Sequence, residues 1–182
     1  GDGVVDDNDR DIIGNPNPDF TYGFQTKVSW KSLSLSASFN GVQGRDILNV
    51  GNRYNNTPGT KSNNVTRKAF QNMWTDENPS NLYPKSTFVV QNMVMDRYVE
   101  DGSYLRCSDI TLSYVLPAKW TNKIGIKNTS VYASVKNAFV ITDYSGYDPE
   151  VNSFAFDGLR PGVDMNSYPT PRSFVFGLNL TF

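Results

Sequence analysis

From Phe20 to Trp30 apolar and polar positions alternate. Even positions carry Phe20, Tyr22, Phe24, Thr26, Val28 and Trp30; odd positions carry Thr21, Gly23, Gln25, Lys27 and Ser29. A period of two puts successive side chains on opposite faces, so this segment predicts a strand with one apolar and one polar face. Lys31 and Ser32 form a short turn, and a second strand is predicted over 32–42. There the odd residues Leu33, Leu35, Ala37 and Phe39 are apolar, against Ser34, Ser36, Ser38 and Asn40. A third strand is predicted over 104–116, with Ile110, Leu112, Tyr114 and Leu116 opposed to Asp109, Thr111 and Ser113. Its first half loses the alternation, as a bulge causes, and Pro117 ends it. A fourth, over 130–141, sets Val131, Ala133, Val135 and Phe139 against Tyr132, Ser134 and Lys136. A fifth, over 172–182, sets Phe174, Phe176, Leu178, Leu180 and Phe182 against Ser173, Gly177, Asn179 and Thr181. A sixth strand at Thr87 to Asn92 has no clear partner in the pattern.

Charge sharpens this picture. Only Lys27, Arg106, Asp109, Lys136 and Arg172 are charged within the five segments. The connections alternate between short (about 31–32, and 117–129) and long (43–103 and 142–171). In an up-and-down sheet all the long ones then fall on one edge. Outer-membrane barrels sort their loops in this way, with long external loops and short periplasmic turns. A strand of this length, tilted about 45°, rises roughly 25 Å, the height of the apolar band of such barrels. The rival reading is a soluble calcium-dependent carbohydrate-binding or adhesin β-sandwich. It shares the alternation but has no reason to sort its loops by side. Five strands cannot close a barrel, and open edges are not tolerated in lipid. The expectation is therefore an all-β chain forming the C-terminal portion of a larger barrel, over 1–182.

Composition removes other classes. The 182 residues contain no His, so His-based triads and His metal ligands are excluded. A single Cys, Cys107, precludes an internal disulfide. A net charge of −1 provides no basic field for nucleic acid. No apolar run approaches the roughly 18 residues of a membrane-spanning helix. No convergent catalytic set is present, and the chain is not expected to be an enzyme. Asp148 and Glu150 flank Pro149, a pairing that suits a rigid turn better than glycosidase chemistry.

One cation motif stands out at the start. With Asp2 at position 5 of an EF-hand-type loop, Gly3 falls at 6, the Val4 carbonyl at 7, Asp6 at 9 and Asp9 at 12. Asp2, Asp6 and Asp9 are thus candidate calcium ligands; the competing reading is a polar surface turn. No other cofactor is expected. In the long connection Tyr54, Phe70, Trp74, Tyr83 and Phe88 are suited to stacking on sugars or peptide side chains. Packing of the loop upon itself is the stronger reading. A short helix is expected after Thr66.

Several segments together resemble a known family. Ser103-Tyr104-Leu105-Arg106 with Ile110-Thr111-Leu112-Ser113-Tyr114, Tyr144-Ser145-Gly146-Tyr147-Asp148-Pro149-Glu150-Val151, and Tyr168-Pro169-Thr170-Pro171-Arg172-Ser173 resemble signatures of SusC/RagA-type TonB-dependent outer-membrane transporters. Trp74-Thr75-Asp76-Glu77-Asn78-Pro79 does too. The resemblance implies the last five antiparallel strands of a 22-stranded transmembrane barrel with long extracellular loops. The plug domain, the TonB box and the earlier strands would lie outside this chain. It further implies a bacterial outer-membrane location in contact with lipid. The implied partners are the rest of the barrel and plug, a SusD-like surface lipoprotein and TonB. The implied activity is import of glycans or oligopeptides.

Overall fold

The computed structural model describes residues 7–57, 64–86, 94–121, 126, 128–150 and 152–181. In chain order the strands are β1 (Phe20–Trp30), β2 (Leu33–Gln43), β3 (Asp46–Asn49), β4 (Val99–Asp101), β5 (Tyr104–Val115), β6 (Asn128–Thr142), β7 (Val163–Asp164) and β8 (Ser173–Thr181). The helices are α1 (Val50–Asn56), α2 (Arg67–Asn72) and α3 (Ala118–Thr121). The chain divides into two compact units. One comprises Pro18–Gly44, Gly102–Tyr144 and Tyr168–Phe182; the other comprises Gly1–Asn17, Arg45–Asp101 and Ser145–Ser167.

The first unit is a five-stranded antiparallel sheet in the order β1-β2-β5-β6-β8. Its strands begin and end within two residues of the five predicted segments. Phe182 and the Thr87–Asn92 segment lie outside the described residues. Register keeps the two faces continuous from strand to strand. Val28 pairs with Leu35, Leu35 with Leu112, Leu112 with Ala133, and Ala133 with Phe176. On the other face Lys27, Ser36, Thr111 and Ser134 follow one another in the same way. Asp109 on this polar face accepts from Thr111 Oγ1 and Ser134 Oγ, both at 2.8 Å, and pairs with Lys136. Much of the apolar face is exposed, and in the edge strands β1 and β8 both faces are. Phe176 is 78% and Trp30 68% accessible.

The irregular half of the third predicted strand is indeed bulged. Ser38 and Phe39 of β2 face Asp109 and Cys107 of β5, leaving Ser108 as the additional residue. A bulge reverses which residues point to which face. Ile110, Leu112 and Tyr114 lie on the apolar face on one side of it. Leu105 and Cys107 lie on that face on the other, paired with Ile141 and Phe139. Opposite the bulge, Asn137 of β6 takes a left-handed backbone with φ 51°, which Asn tolerates better than most residues.

Two cross-strand pairs set a tyrosine against a glycine: Tyr22 with Gly41, and Tyr132 with Gly177. A Cβ at either glycine would overlap the tyrosine ring. Each ring therefore covers the backbone of its partner, a device that restores packing where glycine leaves a gap. At the hairpin, Lys31 alone turns left-handed, with φ 53°. Phe20, Gln43, Tyr104 and Thr142 lie along one edge of the sheet. Both long connections leave from that edge, while Lys31–Ser32 and 116–127 close the opposite one.

The second unit is built on a small sheet in the order β4-β3-β7, with β3–β4 antiparallel and β3–β7 parallel. Ile47 is fully buried at its centre. Leu48 N donates to Gly162 O at 2.8 Å, and Asp46 N to Asn15 O at 2.8 Å. The expected helix after Thr66 is α2, capped by Thr66 Oγ1, which accepts from Ala69 N at 3.2 Å. Trp74 N donates to Tyr83 O, and Lys85 lies over the Trp74 ring. Phe70 is exposed, and Phe88 lies outside the described residues.

Candidate functional site

In the second unit β3 ends at Asn49, which also caps α1: its Oδ1 accepts from Asn52 N at 2.8 Å. Helical spacing then places Asn49, Asn52 and Asn56 on one face. Their carboxamides form a directed row. Asn56 Nδ2 donates to Asn52 Oδ1, and Thr66 Oγ1 donates to Asn56 Oδ1. Asn52 Nδ2 donates to Glu100 Oε1 at 2.9 Å, and Asn49 Nδ2 to the same oxygen at 3.0 Å.

Glu100 is the terminus of the row. It sits in β4, paired with Ile47 of β3. Beyond the two amides it accepts Ser145 Oγ at 2.9 Å and Ser145 N at 2.9 Å. Burial pushes its pKa up, but the donors from Ser145, Asn52 and Asn49 outweigh that and hold it below the usual glutamate value. A carboxylate can only accept here. It therefore decides which way each amide points.

Ser145 begins a turn that is fastened further along. Asp148 is buried and accepts from Glu150 N at 3.0 Å, while the Arg45 guanidinium donates to the Pro149 carbonyl. Asp148 thus acts as a turn residue, as the sequence suggested. Between these anchors Tyr147 is 75% exposed. Across from it Asn166, left-handed at φ 65°, lays its amide against Gly51, where a Cβ would overlap it. The result is a cleft of about 250 Å³ lined by the asparagines 49, 52, 55, 56 and 166, with Thr66, Ser145 and Tyr147. Among the described residues its walls offer neutral donors and acceptors and one aromatic ring.

The residues singled out in the sequence fall elsewhere. Of the candidate calcium ligands, Asp2 and Asp6 lie outside the described residues, and Asp9 closes an exposed 3-10 turn, Asp7–Asp9. Among the described residues no group of three Asp, Glu or Cys side chains is placed to hold a metal ion. The asparagine row carried a detectable signal, since Asn49, Asn52 and Asn56 recur at helical intervals. Glu100 carried none, because its partners are remote in sequence.

The whole chain aligns with the TonB-dependent receptor P26 of Formosa agariphila, at 34% identity over 190 residues covering 19% of that protein. It aligns likewise with the TonB-dependent receptor SusC of Bacteroides thetaiotaomicron, at 33% identity over 189 residues and 17% of its length. No protein-family model matches it. Among solved structures it resembles the RagAB peptide transporter, with a TM-score of 0.79 and 29% identity over 94% of this chain and 18% of that one. The chain thus spans about a fifth of the length of the proteins it matches.

Proposed function

The chain belongs to the SusC/RagA-type TonB-dependent receptors, β-barrel proteins of the bacterial outer membrane, and on that premise we propose that its five-stranded sheet is part of the barrel wall of a nutrient importer. The cargo is a glycan or an oligopeptide, a SusD-like lipoprotein covers the external face, and TonB supplies the energy. These strands are five consecutive strands of a 22-stranded barrel, and the long connections are its extracellular loops.

The observation that carries this reading is the segregation of apolar and polar side chains onto opposite faces of the sheet. Its aromatic and aliphatic face is solvent-accessible from Phe20 to Leu180, and its hydrogen-bonded polar face lies opposite. A water-soluble sandwich buries the apolar face of each sheet against the other. A barrel wall turns that face to lipid and keeps the polar one for the lumen.

The test is performed on the intact receptor in cells. Uptake of labelled oligosaccharides and of labelled peptides is compared in parent, receptor-deleted and TonB-deleted strains. Uptake of one cargo class that disappears in both deletions is the expected result. Uptake that survives loss of TonB overturns the proposal.

A further inference from the structure

We propose that the cleft between the α1 asparagines and Tyr147 is a binding subsite for one unit of a neutral oligosaccharide; this rests on the import reading above and assigns a cargo class to it.

Three features converge on that ligand. The first is the supply of hydrogen bonds. A carboxamide has two N–H donors and an oxygen with two lone pairs. Within the row Asn52 and Asn56 each use one donor and one lone pair. The second of each is not used by the row. Paired donors and acceptors match hydroxyl groups, which also both donate and accept. The row is held in one sense by Glu100, whose four bonds fix the amides without its charge lining the cleft.

The second feature is the ring of Tyr147. It is exposed at the mouth of the cleft, on a turn anchored by Glu100 at Ser145 and by Arg45 at Pro149. Such a ring presents an apolar surface to the C–H face of a pyranose. The third is what the walls lack. Among the described residues no Lys, Arg, Asp or Glu lines the cleft, so the described walls hold no group that grips a phosphate, a carboxylate or a peptide terminus. Among the described residues its walls are helix and turn, with only Asn49 from a strand, and these offer no open strand edge to an extended peptide. At about 250 Å³ the cleft is smaller than the roughly 300–1,000 Å³ of pockets that enclose a whole ligand. That size suits one unit of a longer chain.

The experiment uses the intact receptor, purified in detergent, and isothermal titration with neutral oligosaccharides prepared from starch, dextran, xylan and laminarin. A casein digest serves as the peptide probe. The parent receptor should bind at least one of the saccharides. Tyr147→Ala and Asn55→Ala, both at exposed positions, should together weaken that binding about tenfold or more while heat-modifiable gel mobility stays unchanged. Saccharide binding that is equal in parent and double variant overturns the subsite. So does binding of the casein peptides alone. The TonB-deletion uptake assay reports separately on import. TonB-dependent peptide uptake without saccharide binding therefore removes this inference and leaves the import reading intact.

Discussion

Glu100 accepts both the backbone N–H and the hydroxyl of Ser145, each at 2.9 Å. One carboxylate thereby ties β4 to the start of the Tyr147 turn, and its remaining bonds reach Asn49 and Asn52. Removing it leaves several donors without their acceptor. Glu100→Ala is expected to destabilise this unit by about 1–3 kcal/mol, the usual consequence of unsatisfied partly buried groups. Faster proteolysis within 43–103 of the intact receptor, at unchanged barrel mobility on a gel, is the measurement.

The same residue predicts a pH dependence. Its folded pKa lies below the ordinary value of 4.5. A lowered carboxylate pKa contributes stability that is present above the unfolded value and lost as pH falls through the folded one. Protection of the Asn52 and Ser145 amides against hydrogen exchange should therefore hold from neutrality to about pH 5 and decline in more acid solution. Glu100→Gln should flatten that profile. An unchanged profile in the variant would contradict the assignment.

Phe176 and Asn179 test the two faces of β8. An arginine on the lipid face near mid-membrane costs about 2–4 kcal/mol, whereas lumen positions tolerate charge. Phe176→Arg should reduce the folded, heat-modifiable fraction of receptor in the outer membrane. Asn179→Arg should leave it unchanged. Equal effects would show that the faces are misassigned.

Gly177 lies under the Tyr132 ring, where a Cβ would overlap it. Gly177→Val should lower the unfolding midpoint in urea, with overpacking of about 1–3 kcal/mol. Tyr132→Ala in the same chain should recover most of that loss. An additive double variant would remove the proposed contact.

Cys107 is fully buried and is paired across the sheet with Phe39 and Phe139, whose rings lie 6.4 Å apart. The native receptor should resist maleimide at this thiol, and Phe39→Ala should open it to labelling. Rapid labelling of the parent protein would place Cys107 outside the ring cover.

Much of the strand unit was legible before any coordinates. Alternation in β1, β2 and β8 located each strand and the side that each residue occupies, because pleated backbone sends neighbours to opposite faces whatever surrounds it. The Lys31–Ser32 turn and the stop at Pro117 followed from equally local rules. The first half of β5 resisted the same reading. Leu105 and Cys107 share a face with Ile110 only because Ser108 is additional, and that becomes visible only against Ser38 and Phe39 of β2.

The second unit lay beyond reach for a different reason. Its strands are two to four residues long, too short to show a period. Glu100 meets Asn49 across 51 positions and Ser145 across 45. Sequence alone therefore determined the alternating strands, the sorting of long and short connections and the family likeness, since each is written in neighbouring residues or in the order of segments. Only the tertiary structure decided the bulge, the small sheet and the asparagine cleft, because hydrogen bonds between distant residues depend on where the folded chain returns.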